Sequence, residues 1–248
     1  MLLTDGSPNT TEDLRAYESA ILSVANGEAI DLDVKLALAT EEVSQEVLDF
    51  LVGRFDSRRT VGVTDVVVTR QMKRWHALHT LEVVYRDAFH NQLNDRYKEK
   101  FAEYQRLSER ARAQTFQFGV GLVGRPLPVA EAPEFGFTAG PFEARTYFVR
   151  VAWVSAAGQE GFASAVTSYD APAGTVPVVS SVNPPTAASG FHVYMGLMPE
   201  ALTRQTSAAV PVGQSFTLPV GGLIEGVTPG EGQSPDQFVA GSNVTRRG

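Results

Sequence analysis

Thirteen of the 14 prolines and 18 of the 22 glycines lie after residue 115, while residues 1–115 hold 15 of the 21 basic and 19 of the 28 acidic side chains. Proline removes a backbone donor and glycine weakens a helix by about 1 kcal/mol, so a stretch carrying only Pro8 and four glycines can sustain long helices. A stretch dense in Pro, Gly, Ser, Thr and Val reads as short strands between turns. The division predicts an α+β chain of two domains, an N-terminal α-helical bundle followed by a C-terminal β-sandwich. The expected bounds are 1–118 for the bundle, 119–140 for a linker, 141–240 for the sandwich and 241–248 for a flexible tail. At 248 residues and 43% hydrophobic, the chain is long enough for two packed cores.

Asn9 or Thr10 can cap a first helix, with Glu12 and Asp13 in its first turn; Leu14, Tyr17, Ala20/Ile21 and Val24 then recur at helical spacing up to Asn26-Gly27. A second helix is predicted over about 32–52, with Val34, Leu36, Leu38, Val43, Val47, Leu48 and Leu51 as its apolar face and Gly53 at its end. Residues 54–68 read as a loop, whose β-branched run from Thr60 to Val68 suits a short strand or an extended arm. Thr69 then caps a third helix that buries Trp75, Leu78, Leu81, Val84/Tyr85, Ala88 and Phe89. A break falls at Asn91 and Asn94. Tyr97, Phe101, Tyr104, Leu107 and Ala111 stripe a fourth helix with a charged outer face.

Charge is segregated within this half. Residues 1–53 carry 2 basic and 11 acidic groups; residues 54–112 carry 13 basic and 8 acidic groups. Either the two sets neutralise each other inside one bundle, or each meets an opposite face on a neighbouring copy.

In the second half Tyr147, Val149, Val151 and Trp153 alternate with Phe148, Arg150, Ala152 and Val154, the period of a strand. A turn at Ala156–Gly161, a return strand over 163–169, and further strands over 176–182, 190–196 and 214–220 suggest the sandwich. The segments 147–158 and 189–196 resemble the penultimate and third strands of a fibronectin type III domain, in reverse order, so the sandwich is expected to be immunoglobulin- or fibronectin-like by analogy or permutation.

Chemistry is sparse. The chain has no cysteine, which excludes disulfides, thiolate metal sites and a cysteine nucleophile. A net charge of −7 argues against gripping nucleic acid by its phosphates. No apolar run reaches the roughly 18 residues of a membrane span, and the first residues lack the pattern of a signal peptide. Gly119-Val-Gly-Leu-Val-Gly124 matches GxGxxG in letters, yet it follows a helix and runs into Arg125-Pro126, which is the wrong setting for a dinucleotide and suits a linker. His76 and His79 lie three apart among Trp75, Leu78 and Leu81, without HExxH, and read as helix-interface histidines. No GxSxG elbow accompanies the four histidines. Arg58, Arg59, Arg70, Lys73 and Arg74 form a local basic cluster, suited to an acidic partner, to a solvated rim or, less readily, to nucleic acid.

The stretch Asp65–Gly124 resembles the head–tail adaptor (connector, neck) proteins of tailed bacteriophages. The likeness lies in Lys73-Arg-Trp-His-Ala-Leu78, in Val84-Tyr-Arg-Asp87, and in Asn91-Gln-Leu-Asn-Asp-Arg-Tyr97 leading into a charged helix. It implies a structural virion protein with no enzymatic activity and no cofactor, located at the neck. It further implies a ring, typically of twelve copies, under the portal, which joins the portal to tail or neck proteins and lets DNA pass without specific binding. The appended β domain departs from the smallest, all-helical members. Arg54, Arg58, Arg59, Arg70, Lys73 and Arg74 are the interface candidates. Segments 1–9, 54–68, 116–135 and the residues after 238 are expected to order on docking. A second reading takes the sandwich as a surface- or carbohydrate-binding module with Tyr169, Phe191 and Tyr194 as its platform.

Overall fold

The computed structural model of the chain describes residues 1–54, 61–91 and 95–241. N-terminal helices are followed by a strand-rich region, the expected α+β order. The chain forms two compact units. One holds Gly6–Gly124 and the segment from Pro235; the other holds Met1–Asp5 and Arg125–Ser234.

The helical unit begins with α1 (Thr11–Tyr17). Thr10 caps it: its hydroxyl accepts from Asp13 N–H while the Asp13 carboxylate accepts from Thr10 N–H. The periodicity from Leu14 to Val24 predicts one continuous helix to Gly27, but the chain breaks at Glu18–Ala20 and restarts as α2 (Ile21–Gly27). The break is tertiary in origin. The Glu18 carboxylate accepts from Lys100 Nζ (2.8 Å), Tyr104 Oη (2.9 Å) and Ala20 N–H (3.3 Å). Burial alone would raise the Glu18 pKa, but these donors outweigh it and hold the carboxyl below its usual range.

Helix α3 (Leu32–Val52) starts at Asp31, whose carboxylate accepts from Asp33 and Val34 N–H, and stops at Gly53. Helices α4 (Arg70–Asn91) and α5 (Lys98–Phe118) complete the set. They pack antiparallel through Tyr85 stacked on Tyr104 (5.3 Å between centroids), Phe89 on Phe101 (6.2 Å) and Trp75 edge-on to Phe116 (5.5 Å). Trp75 and Tyr85 are buried, as their place in the stripe predicts.

The opposed charges meet inside this unit. Lys73 pairs with Asp13 (3.7 Å), Lys100 with Glu18 (2.8 Å), and Arg112 with Glu46; in the opposite sense Lys35 pairs with Asp87 (2.7 Å). Three of the four join an acid of residues 1–53 to a base of residues 54–112, so neutralisation within one bundle accounts for these groups.

A small antiparallel sheet completes the helical unit: β1 (Val66–Val67), β2 (Val120–Leu122) and β11 (Gln237–Val239), with β2 central. Two expectations fall here. Residues 119–140 are not a plain linker, since they contain β2 and most of β3 (Glu134–Phe142). Of the residues after 238, Val239 does not wait for a partner to become ordered, because it pairs with Val120, while 242–248 of the expected flexible tail lie outside the described residues. Gly119, at φ +108°, ends α5 in a conformation that favours glycine. Gly121 lets Pro235 lie against the strand, where an added Cβ would sit 2.6 Å from Pro235 Cγ. The glycine run is therefore a tightly packed strand. Of the arm read over 60–68, residues 66–67 form β1; Thr60 lies outside the described residues.

The β unit has two sheets. One has the order β10 (Ser215–Thr217), β6 (Thr175–Ser180), β3; the other has β5 (Thr167–Ala171), β4 (Arg145–Ser155), β7 (Ala188–Gly196), β8 (Thr203–Arg204), with β9 (Val210–Pro211) also on β7. Their shared core contains Tyr147, Val149, Val151 and Trp153 from β4, Phe191, Val193 and Met195 from β7, and Val176 and Val179 from β6. The alternation of β4 is thus realised as predicted. The two segments likened to fibronectin strands, β4 and β7, lie side by side and antiparallel.

Residues 1–5 belong to this unit and are ordered without a partner. Leu2 and Leu3 are buried, and the Asp5 carboxylate accepts from Leu2 N–H (2.6 Å) and Val129 N–H (2.7 Å). Replacing Leu2 and Leu3 individually with Ala should each cost the β unit about 2–5 kcal/mol. Unfolding followed by Trp153 fluorescence in a Trp75→Phe background checks this; an unchanged midpoint would show that the two leucines contribute nothing to the stability of that unit.

Candidate functional site

Three of the interface candidates, Arg70, Lys73 and Arg74, lie on the first turns of α4, where that helix meets the chain before α1. Behind them lies a buried polar network. Asn9 donates through Nδ2 to Lys73 O (2.8 Å) and to His76 Nδ1 (2.9 Å). An accepting Nδ1 places the imidazole proton on Nε2, which faces Thr40 Oγ1 (2.9 Å) and Leu36 O (3.3 Å) of α3. Thr40 in turn donates to Leu36 O (2.8 Å). His76 is fully buried, and that burial pushes its pKa down to about 4. It is a neutral cross-link between the residues before α1, helix α3 and helix α4.

One turn on, His79 is shifted in the opposite direction. Its Nε2 meets Glu42 of α3 (2.6 Å) and its Nδ1 meets Glu82 (3.1 Å), with Ser108 Oγ of α5 at 3.3 Å. Burial alone would lower its pKa, but Glu82 and Glu42 outweigh burial and raise it. Both histidines are therefore helix-interface residues, as their apolar surroundings predict. Among the described residues no group of three His, Asp or Glu side chains is placed to hold a metal ion.

Outside this network Arg70, Lys73 and Arg74 are exposed on the first two turns of α4. Arg54 comes to the same end of the helical unit. Its guanidinium lies over Phe50 (5.2 Å), Phe50 stacks on Phe116 (4.6 Å), and Phe116 meets Trp75. Thus Arg54, Arg70, Lys73 and Arg74 share one end, with Arg54 tied to an aromatic cluster and Lys73 facing Asp13. Arg58 and Arg59 lie outside the described residues. A groove of about 530 Å³ runs beside α3 and is lined among others by Asn9, Asp33, Ala37, Thr40 and Glu41.

The aromatic platform proposed for glycans does not form. Phe191 lies in the sandwich core, edge-on to Trp153 (6.3 Å), and Tyr194 is buried on the other face of its sheet with its hydroxyl bound to Glu160 (2.6 Å). Both sit on a central strand, where alternation puts one side chain into each covered face. Tyr169 is half-buried, stacked on Phe135 (4.8 Å) with its hydroxyl on Gly136 O. His192, also buried, bonds Thr206 through Nδ1 (2.7 Å).

The apolar residues of α3 expected on one face divide between two. The buried stripe is Leu32, Leu36, Ala39, Val43, Val47 and Leu51, whereas Val34 is 58% and Val52 68% exposed. A helical-angle count separates them, since Val34 lies about 200° around the helix from Leu36.

The two histidines set opposite pH limits. A native pKa near 4 for His76, against 6.5 when unfolded, means its contribution is complete above 6.5 and is lost as pH falls towards 4, on the order of 3 kcal/mol. The raised pKa of His79 means its contribution is complete below 6.5 and is lost as pH rises through the folded value. Denaturant unfolding should therefore show a maximum of stability near pH 6.5, and Asn9→Ala, which leaves His76 Nδ1 without its donor, should cost about 1–3 kcal/mol. A flat profile from pH 4 to 6.5 would contradict the neutral buried state of His76.

No protein-family model and no curated protein sequence matches this chain.

Proposed function

We propose that the chain is a structural virion protein, one subunit of a ring at the neck of a tailed bacteriophage that joins portal to tail and continues the DNA channel. The observation that carries this reading is where the resembling stretch falls. Residues 65–124 supply α4, α5, β1 and β2, the spine of the helical unit. Trp75, His76, Leu78, Tyr85 and Tyr97 of its motifs are buried in that spine, while Arg70, Lys73 and Arg74 are left on the surface. A ring subunit needs such a division, with a rigid body formed by itself and charged groups presented to neighbours.

The net charge suits a channel. Twelve copies would carry about −84 formal charges, so a lumen built from them repels phosphate and lets DNA slide. The partners in this reading are further copies of the chain, the portal, and tail or neck proteins. Arg54, Arg70, Lys73 and Arg74 are the docking residues it assigns among the described ones.

In particles of the phage or prophage encoding this chain, labelled protein should appear by electron microscopy at the vertex between head and tail. The Arg70→Glu/Arg74→Glu variant should fold with a thermal midpoint within a few degrees of the parent and fail to enter particles. Label on the tail tip or absent from particles, or normal entry of the double variant, would overturn the reading or the assigned surface respectively.

A further inference from the structure

The outer face of α3 has an order of its own. Val34, Leu38, Glu41, Gln45, Leu48 and Val52 follow one another at spacings of 4, 3, 4, 3 and 4, the heptad spacing of a coiled-coil seam. They lie on the side of the helix opposite the buried stripe. Val34, Glu41, Gln45 and Val52 are exposed, and Leu38 and Leu48 half-buried. The pattern is also symmetric about position 43 in both spacing and chemistry: Val, Leu, polar, polar, Leu, Val.

We propose that α3 pairs with α3 of a second copy, antiparallel, across a two-fold axis near residue 43. In that register Val34 meets Val52, Leu38 meets Leu48, and Glu41 meets Gln45, each contact occurring twice, as an isologous interface requires. The central polar pair is complementary, because the Gln45 amide donates and the Glu41 carboxylate accepts. Gln45 uses one N–H on Asp49 (3.0 Å) and keeps a second. Along the flank, Lys35 of one copy lies opposite Asp49 of the other. Lys35 already holds Asp87 at 2.7 Å, and its ammonium has three donors. The like-charged contact at the axis, Glu42 against Glu42, is offset because each carboxylate is paired with His79.

The seam covers about 27 Å of helix, less than a standard interface buries, so the dimer is weak and concentration-dependent. A two-fold contact closes on itself and cannot propagate round a ring. The pair is therefore a state of the free subunit, independent of the neck reading, and it must open if that subunit enters a ring.

The absence of cysteine allows a direct test. Full-length Val34→Cys and Val52→Cys proteins are oxidised separately and as a mixture, at high micromolar concentration. A disulfide-linked dimer should form in the mixture and at least tenfold less in either alone. Val52→Asp should shift the parent from dimer towards monomer by light scattering, with an unchanged thermal midpoint. Equal cross-linking in the single-variant samples, no cross-link in the mixture, or a parent monomeric throughout would each overturn the proposal.

Discussion

The buried imidazole of His76 is the contact on which the helical unit depends. An imidazole can join three chain segments only if both ring nitrogens find partners, and here they do: Asn9 on one side, Thr40 and Leu36 O on the other. The cost of burying these groups is offset because each bond is made, whereas removing one partner strands the others. The same Asn9 amide fixes the Lys73 carbonyl on the first turn of α4. The entry of the chain into α1, the position of α3 and the first turns of α4 are thereby set together.

Around this neutral link the charges are arranged by distance from water. His79, ringed by Glu42, Glu82 and Ser108, is a half-hidden imidazole whose protonated form two carboxylates favour. Glu18, at the α1–α2 break, gathers Lys100 and Tyr104. The more exposed pairs, such as Lys73–Asp13, contribute little each. What the segregated charge achieves is register, with the acidic early helices laid against the basic later pair. On the outer side of α3 and the first turns of α4, Val34, Val52, Arg70 and Arg74 remain exposed.

Much of this was legible in the sequence because it is local. Breaker-free stretches, Thr10, Gly53 and the alternation over 146–154 report on neighbours a few residues away, and the elements they mark stand where expected. What escaped is non-local. The break at Glu18 is caused by Lys100 and Tyr104, more than 80 residues on. Strand β2 is three residues long and recognisable only through partners at Val66–Val67 and Gln237–Val239. The same holds for the surface. The exposure of Arg70, Lys73 and Arg74 follows from composition, but their grouping with Arg54 depends on the Phe50–Phe116–Trp75 contacts, and the second face of α3 was hidden in a single list of its apolar residues.

Two histidines three residues apart are shifted in opposite directions because one is enclosed by neutral partners and the other by carboxylates. With only four histidines in the chain, each imidazole can be followed by NMR. His76 should keep its proton on Nε2 and stay neutral until the pH nears 4, while His79 should remain protonated above pH 6.5. Both rings titrating together near 6.5 would contradict the account.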